Sequence, residues 1–583
     1  MLNFLRTYGR SRVLVFILLV FIGIFAVRLF TIQVVEHEYY KKLALSEQQA
    51  KFVLKAQRGE IYAKDGGAVA PLVLNEPVYT VYADPSQVTD AAGIQSTIAS
   101  VASDKVVKDL RGLTDKKQQY LVLAREVTRD QARAIKDKKF AGVGETQTTQ
   151  RVYPEGSLAA QLLGFVNADG LGQYGVEQAL DSKLKGTDGV LQTVTDVRNI
   201  PLTVSDSDIS IPAKDGQNVV LTVDRNIQSY VETALKKGLD NVHATKGSAI
   251  VIDPQTGHVM AMANYPSYDP SKYGNVPDIG VWQNGVVSNA IEAGSVMKTL
   301  TMGAALDSGA VTTSSSYNNT GCVQVDDRKI CNVEGDPTST NTTMTDVLEY
   351  SLNTGVVYAL TRMGDGATVN QVGRQKLYDY FANHYRFGQK TGIQQAGESD
   401  GIIIGPTQQE GNNVRYANMT FGQGLNTTMI QVASAFSAAI NGGTYYQPTV
   451  VDGSLSASST EIPTKPTIVE KNVLSPNASR QLNEMVYQAR IRGFFRGVDK
   501  AGYRVGGKTG TSQIIDAKTG QYTDANSTGT YLGFGGNSTP HYVIMTYVQD
   551  SKAAGYAGTV AAGPIFNDIS NWLLDYLRIS PND

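Results

Sequence analysis

Ser295 and Lys298 stand three positions apart in the stretch Ile291-Glu292-Ala293-Gly294-Ser295-Val296-Met297-Lys298-Thr299-Leu300. On a helix, positions i and i+3 share a face, so this spacing sets an amine beside a hydroxyl. The residues that follow, 299–306, are small or apolar and read as a buried helix. Burial disfavours an ammonium, and a neutral amine can take the proton of serine and turn its oxygen into an acyl-transfer nucleophile. The spacing alone is common: Ser182 and Lys185 repeat it in a polar stretch. A serine at such a place also reads as a helix N-cap. The pair needs partners before it carries weight.

Acyl transfer by a Ser-x-x-Lys site calls for two further triplets. Ser-x-Asn moves the proton and holds the substrate amide; Lys-Thr-Gly on an edge strand faces the nucleophile and binds the substrate carboxylate. Both recur here. Ser-x-Asn begins at Ser316, Ser351, Ser475 and Ser580, and Lys-Thr-Gly at Lys390, Lys508 and Lys518. Context selects among them. Ser351-Leu352-Asn353 lies between helical runs at 344–350 and 356–360, which fix its position inside a domain. Ser316 sits in a Ser/Thr/Asn loop, Ser475 precedes Pro476, and Ser580 is near the terminus. Residues 504–512 read as a strand whose glycines let a substrate backbone approach. Lys518 falls in a polar turn, and Lys390 at a helix-to-loop exit. The candidate catalytic residues are therefore Ser295, Lys298, Ser351, Asn353 and Lys508, with Thr509, Gly510 and Thr511 on the substrate.

The rest of the chain must position these groups. Its 583 residues allow roughly three to four domains. A net charge of −2 offers nothing to a nucleic acid. The five histidines form no His-x-x-x-His, and no Gly-x-Ser-x-Gly occurs, which removes support for zinc hydrolases and nucleophile elbows. Arg6, Arg10 and Arg12 precede an apolar run over 13–35, long enough to span a bilayer, with Arg28 near its outer end. The arginines favour a cytoplasmic N-terminus, and no small-x-small cleavage site closes the run. A cytoplasmic tail at 1–12 and an anchor at 13–35 follow, with everything beyond Glu36 outside the cytoplasm.

Residues 36–240 read as a membrane-proximal module, with strands at 58–65, 78–84, 189–195 and 218–223. The charged stretch 84–139 reads as helical, and short helices follow 157 and 175. No cluster suited to catalysis appears there. An amphipathic helix runs from Asp224 to Leu239. Residues 241–583 then form the catalytic candidate, with strand pairs at both ends (248–263 and 529–548) and a closing helix at 563–577, while 453–466 reads as a loop. This is an α/β pattern with an antiparallel sheet flanked by helices. Cys322 and Cys331 suit the facing ends of a hairpin, as a disulfide or as two thiols. Metal ligation is a rival that lacks two of the usual four ligands. In any of these forms the cysteines read as a local clasp apart from the chemistry.

At this point the chain resembles the class B penicillin-binding proteins, the monofunctional peptidoglycan D,D-transpeptidases. The resemblance runs through the anchor ending Arg28-Leu29-Phe30, Arg58-Gly59-Glu60-Ile61, Tyr153-Pro154-Glu155-Gly156, Gly175-Val176-Glu177, Leu221-Thr222-Val223-Asp224, Gly422-Gln423-Gly424-Leu425 and Lys508-Thr509-Gly510-Thr511. The Tyr-Pro-Glu-Gly and Gly-Val-Glu stretches look more like the septal, FtsI-type branch than the elongation branch. The chain departs from the family pattern at Ala293, Val296 and Leu352, none of which removes a reacting atom. The resemblance implies a single N-terminal transmembrane helix, an elongated α+β pedestal of dimerisation type, and a C-terminal penicillin-binding transpeptidase domain. It implies that Ser295 attacks the D-Ala-D-Ala carbonyl and Lys298 takes its proton. Ser351 relays a proton to the leaving D-Ala, and Asn353 holds Lys298 and the substrate amide. The N–H groups of Ser295 and Thr511 form the oxyanion hole, and Lys508, Thr509 and Thr511 bind the terminal carboxylate or support the proton relay. The implied partners are peptidoglycan stem peptides, β-lactams, an FtsW-like membrane glycosyltransferase and divisome proteins, with no metal or cofactor. The rival readings are a membrane-anchored β-lactamase or β-lactam sensor, a non-catalytic division scaffold, and a bifunctional enzyme. The long membrane-proximal module speaks against the first, and the lack of convincing paired carboxylates before Gly247 against the last.

Overall fold

The computed structural model describes residues 9–41, 49–194, 209–333, 335–456, 460–515, 522–553 and 555–582; Arg6 and the Lys518 triplet lie outside them. The chain divides into two compact units, Met1–Arg58 with Lys185–Gly216, and Gly59–Leu184 with Gln217–Asp583.

In the first unit, the helix Arg10–Phe30 runs on into a wider π-helical turn, Thr31–Val35. The span Arg12–Val35 is long and apolar enough to cross a membrane. At about 1.5 Å per residue it exceeds a hydrocarbon core of about 30 Å. Its apolar side chains are exposed all round, which suits lipid rather than water. The unit also holds a three-stranded antiparallel sheet of Gln49–Leu54, Gly189–Val194 and Ile209–Ile211.

In the second unit, a seven-stranded sheet joins distant parts of the chain. Val219–Asp224 pairs in parallel with Ile61–Asp65 and antiparallel with Val451–Leu455. Two of its strands depart from the sequence reading, and a third falls mostly where that reading places no element. Leu121–Val127 lies inside the stretch read as helical, where Glu126 at φ +55° breaks the alternation that marks a strand. Val143–Val152 pairs with Ala68–Ala83 but is polar, because much of it faces water. Glu461–Pro463 pairs with Val451–Leu455 within the supposed loop. Arg151, two residues before the Tyr153-Pro154-Glu155-Gly156 stretch, and Glu177 of Gly175-Val176-Glu177 form a buried ion pair at 2.8 Å.

The catalytic candidate region is organised by five strands: β1 (Lys246–Ile252), β2 (Val259–Tyr265), β3 (Arg504–Ile515), β4 (Tyr522–Gly536) and β5 (Pro540–Ser551). They run in the order β2-β1-β5-β4-β3, all antiparallel, and β3 is an edge. Both faces are covered, which explains the near-continuous apolar runs. Ile250 and Ile252 of β1 enter one core and Ala249 and Val251 the other, as a two-residue period requires. The helices α1 (Arg225–Asn241, capped by the Asp224 carboxylate) and, at the end of the chain, Gly563–Tyr576 pack on the second face. The first face takes α2 (Met297–Asp307), α3 (Met344–Glu349), α4 (Asn353–Met363), α5 (Met429–Ile440) and α6 (Pro476–Arg492).

Candidate active site

Ser295 occupies a tight 3₁₀ turn, Gly294–Val296, that feeds α2. The N-cap positions of the turn and of α2 are Ala293 and Val296, so Ser295 is not the helix cap. Three contacts hold the turn. Thr530 Oγ1 on β4 donates to the Ala293 carbonyl at 2.9 Å, Ile291 N–H donates to the Thr427 carbonyl at 2.9 Å, and Gly294 N–H donates to the Gly422 carbonyl at 3.3 Å. Two glycines permit this closeness. A Cβ on Gly422 would lie 2.2 Å from the Gly294 carbonyl oxygen, and one on Gly510 would lie 2.8 Å from the Ala293 carbonyl oxygen. Gly294 itself has φ +68° and packs against the backbone of Thr511.

Lys298, one turn on, is 1% exposed. Its amine donates to the Ser351 carbonyl and, at 3.1 Å, to Ser351 Oγ. The Phe421 ring lies 6.0 Å away. Burial pushes Lys298 well below the usual lysine range, and the charge of Lys508 adds to the push, while the Asp336 carboxylate opposes it. Ser295 is half-buried.

Ser351 lies between α3 and α4 with φ +59°, and this left-handed backbone helps aim both its oxygens at Lys298. Asn353 opens α4, but its amide donates at 2.9 Å to the carbonyl of Cys331. Lys298 is thus held by Ser351 and not by Asn353, the residue expected to hold it. Cys322 and Cys331 face each other across the hairpin of Cys322–Val325 and Arg328–Cys331 and are joined as a disulfide. This corrects the expectation of a clasp apart from the site, since the clasped strand carries the oxygen that fixes Asn353. The adjoining Asn332 side chain accepts from Thr354 N–H at 3.0 Å.

Lys508 lies on the edge strand β3, 4% exposed, with its amine on the Thr509 carbonyl (3.1 Å) and Thr509 Oγ1 (3.2 Å). Burial lowers it to about 7, against the opposing pull of Asp336. Thr511 Oγ1 accepts from Gly558 N–H at 3.2 Å, which leaves the hydroxyl proton free to donate. The structure therefore gathers Ser295, Lys298, Ser351, Lys508, Thr509, Gly510 and Thr511 around one turn, with Asn353 turned to the hairpin. The alternative triplets go elsewhere. Ser316 begins a strand, Ser475 caps α6, and Lys390 is exposed beside Asp400. Thr530, Gly558, Phe421 and Asp336 carry no sequence signal of their own. Gly422 stands in a family-like stretch, but nothing in that stretch says it packs on the nucleophile turn.

A buried lysine one turn after a serine, with a second lysine on the facing sheet edge, is the architecture of a serine acyltransferase. Residues 247–571 match the penicillin binding protein transpeptidase domain, and residues 53–221 the penicillin-binding protein dimerisation domain. The chain belongs to the class B penicillin-binding proteins, serine-type peptidoglycan transpeptidases. It is 30% identical over 576 residues to stage V sporulation protein D of Bacillus subtilis, spanning 97% of this chain and 86% of that protein. It is 28% identical over 539 residues to the peptidoglycan D,D-transpeptidase FtsI of Escherichia coli K12, spanning 91% and 85%. Its fold is that of penicillin binding protein 2X from Streptococcus thermophilus (TM-score 0.72, 24% identity, 91% of this chain and 80% of that one). It is also that of penicillin binding protein 3 from Mycobacterium tuberculosis, solved with aztreonam (TM-score 0.67, 24% identity, 91% and 98%).

Proposed function

We propose that Ser295 is the nucleophile with which this transpeptidase cross-links stem peptides, and that it works at the division septum. The observation that carries the assignment is the buried Lys298 amine, held by Ser351 one helical turn from Ser295. Neutral in its dry site, it takes the Ser295 proton as Oγ attacks the carbonyl carbon of a terminal D-Ala-D-Ala bond. The N–H groups of Ser295 and Thr511 receive the oxyanion, which the approach of Gly294 to Thr511 supports. Lys508, Thr509 and Thr511 take the terminal carboxylate, with Gly510 giving room for the nucleophile turn. The C–N bond breaks, and the departing D-Ala amine gains a proton relayed through Ser351. Asn353, fixed on Cys331, presents its amide oxygen to the substrate. An amine of a second stem peptide then takes the acyl group, and β-lactams acylate the same oxygen.

The division of the chain is tail 1–12, anchor 13–35, pedestal 36–240 and transpeptidase domain 241–583. The arginines before the anchor put the N-terminus in the cytoplasm and the site outside it. An FtsW-like glycosyltransferase and divisome proteins are the partners, and the Tyr-Pro-Glu-Gly and Gly-Val-Glu stretches support the septal branch. The test is release of D-Ala and formation of cross-linked dimer from stem-peptide strands. Both are expected from the native protein and neither from Ser295→Ala. Rapid hydrolysis of penicillin without a covalent adduct would instead show a β-lactamase, and full complementation of a null strain by Ser295→Ala a scaffold. Filaments on depletion support the septal role; rounded cells contradict it.

A further inference from the structure

Cross-linking needs a place for the second peptide, and the residues above serve only the first. An open cavity of about 420 Å³, within the size range of ligand pockets, is lined by segments that lead to the site. One wall includes Gly424, two residues after Gly422. Its N–H donates to the Glu292 carboxylate at 2.9 Å, three residues before Ser295, and its carbonyl accepts from Arg415 at 2.9 Å. The other wall is the turn of the disulfide hairpin, Asp327 and Arg328, whose far end holds Asn353. Asn413 bonds to Asp326 at 3.1 Å and ties the walls together. The segments that line the cavity are thus the segments that set the nucleophile turn and the second triplet.

The walls carry both signs, with carboxylates at Asp327 and Glu410 and guanidinium groups at Arg328 and Arg415. Asp327, Arg328 and Glu410 are 80%, 72% and 70% exposed in their side chains. Their ion pairs, with each other and with Arg415, stand in water, where such pairs contribute little and a ligand of matching charges can replace them. We propose that this cavity is the acceptor subsite, and that it takes a stem peptide bearing a free amine and at least one carboxylate. The arginines hold the carboxylate, and the acidic pair draws in the ammonium. The ammonium gives one proton to solvent. Its nitrogen bonds to the acyl carbon, the C–O bond to Ser295 breaks, and the second N–H proton passes by Lys298 to Oγ. The inference rests on the transpeptidase reading.

The test uses the full-length protein, a D-Ala-D-Ala donor peptide and an acceptor peptide with a free side-chain amine, with an Asp327→Asn/Glu410→Gln variant and an Arg328→Gln variant. Acylation by penicillin and D-Ala release without acceptor should stay within about twofold of wild type, because these side chains lie outside the donor site. Dimer formation should fall at least about tenfold, the effect of losing about 1.4 kcal/mol of acceptor binding, with hydrolysis of the acyl-enzyme rising in its place. Amidating the acceptor's carboxylates should weaken it for wild type and weaken it less for Arg328→Gln, which keeps only Arg415. Unchanged dimer formation, or a parallel fall in acylation and dimer, overturns the acceptor assignment. Failure of wild type to acylate at all would overturn the nucleophile assignment instead.

Discussion

Ser351 Oγ lies 3.1 Å from Lys298 Nζ, and Ser351 reaches that place with a left-handed backbone at φ +59°. A side chain costs energy in this conformation, roughly 1–2 kcal/mol, and glycine would avoid the cost. The serine is explained by what its hydroxyl does. Ser351→Ala and Ser351→Gly should both slow acylation by roughly 10²–10⁴-fold, as the loss of a proton-relay group does. The glycine variant should nonetheless be the more stable of the two by about 1 kcal/mol. Stopped-flow acylation with a fluorescent penicillin and thermal melts of both variants check this. An alanine variant that melts higher would show that the backbone is unstrained.

Lys508, lowered to about 7 by burial, yields a pH dependence of definite sign. In the unfolded chain a lysine titrates near about 10.4, so between about 7 and that value the folded state binds fewer protons. Stability should therefore rise with pH across that window, and the cost of the buried charge is fully present below about 7. Lys298, shifted in the same direction, adds to the slope. Lys508→Met should flatten the rise in melting temperature between about pH 7 and pH 9, and an unchanged slope would count against the buried charge. The ammonium is also what binds the donor carboxylate. KM for a donor peptide should climb above about pH 7, while kcat holds.

Gly422 presses on the nucleophile turn, and its role can be separated from its backbone angle. Gly422 and Gly309 both have positive φ, +85° and +69°, but a Cβ on Gly309 meets nothing within 4 Å. Gly309→Ala measures the backbone cost alone. Gly422→Ala should lose about 1–3 kcal/mol more, because the new methyl must push Gly294 aside. Its acylation rate should fall at least about tenfold, while Gly309→Ala acylates like wild type. Equal melting temperatures and rates for the two would place Gly422 outside the support of Ser295.

Much of this was readable because local signals carry it. The Ser-x-x-Lys turn, the paired helices around Ser351 and the glycine-rich edge strand each announce themselves within a dozen residues. The strands Leu121–Val127 and Val143–Val152 do not, since one is bent at Glu126 and the other is polar on its exposed length. The support of the site was hidden for a different reason. Thr530 reaches Ala293, Gly558 reaches Thr511, and Cys331 reaches Asn353 across 237, 47 and 22 positions. Each contact is made by the sheet or by helix packing, and no short stretch of residues encodes it. The departures at Val296 and Leu352 became interpretable only in three dimensions. Both side chains are fully buried and point into the core, so neither offers a polar group to the substrate.

The most direct measurement is mass spectrometry of the protein after reaction with a penicillin. A single covalent adduct on the peptide containing Ser295, absent from Ser295→Ala and much slower to form in Lys298→Ala, is the expected result. An adduct on Ser351 or Ser182, or no adduct on a folded protein, would contradict the assignment of Ser295 as the nucleophile.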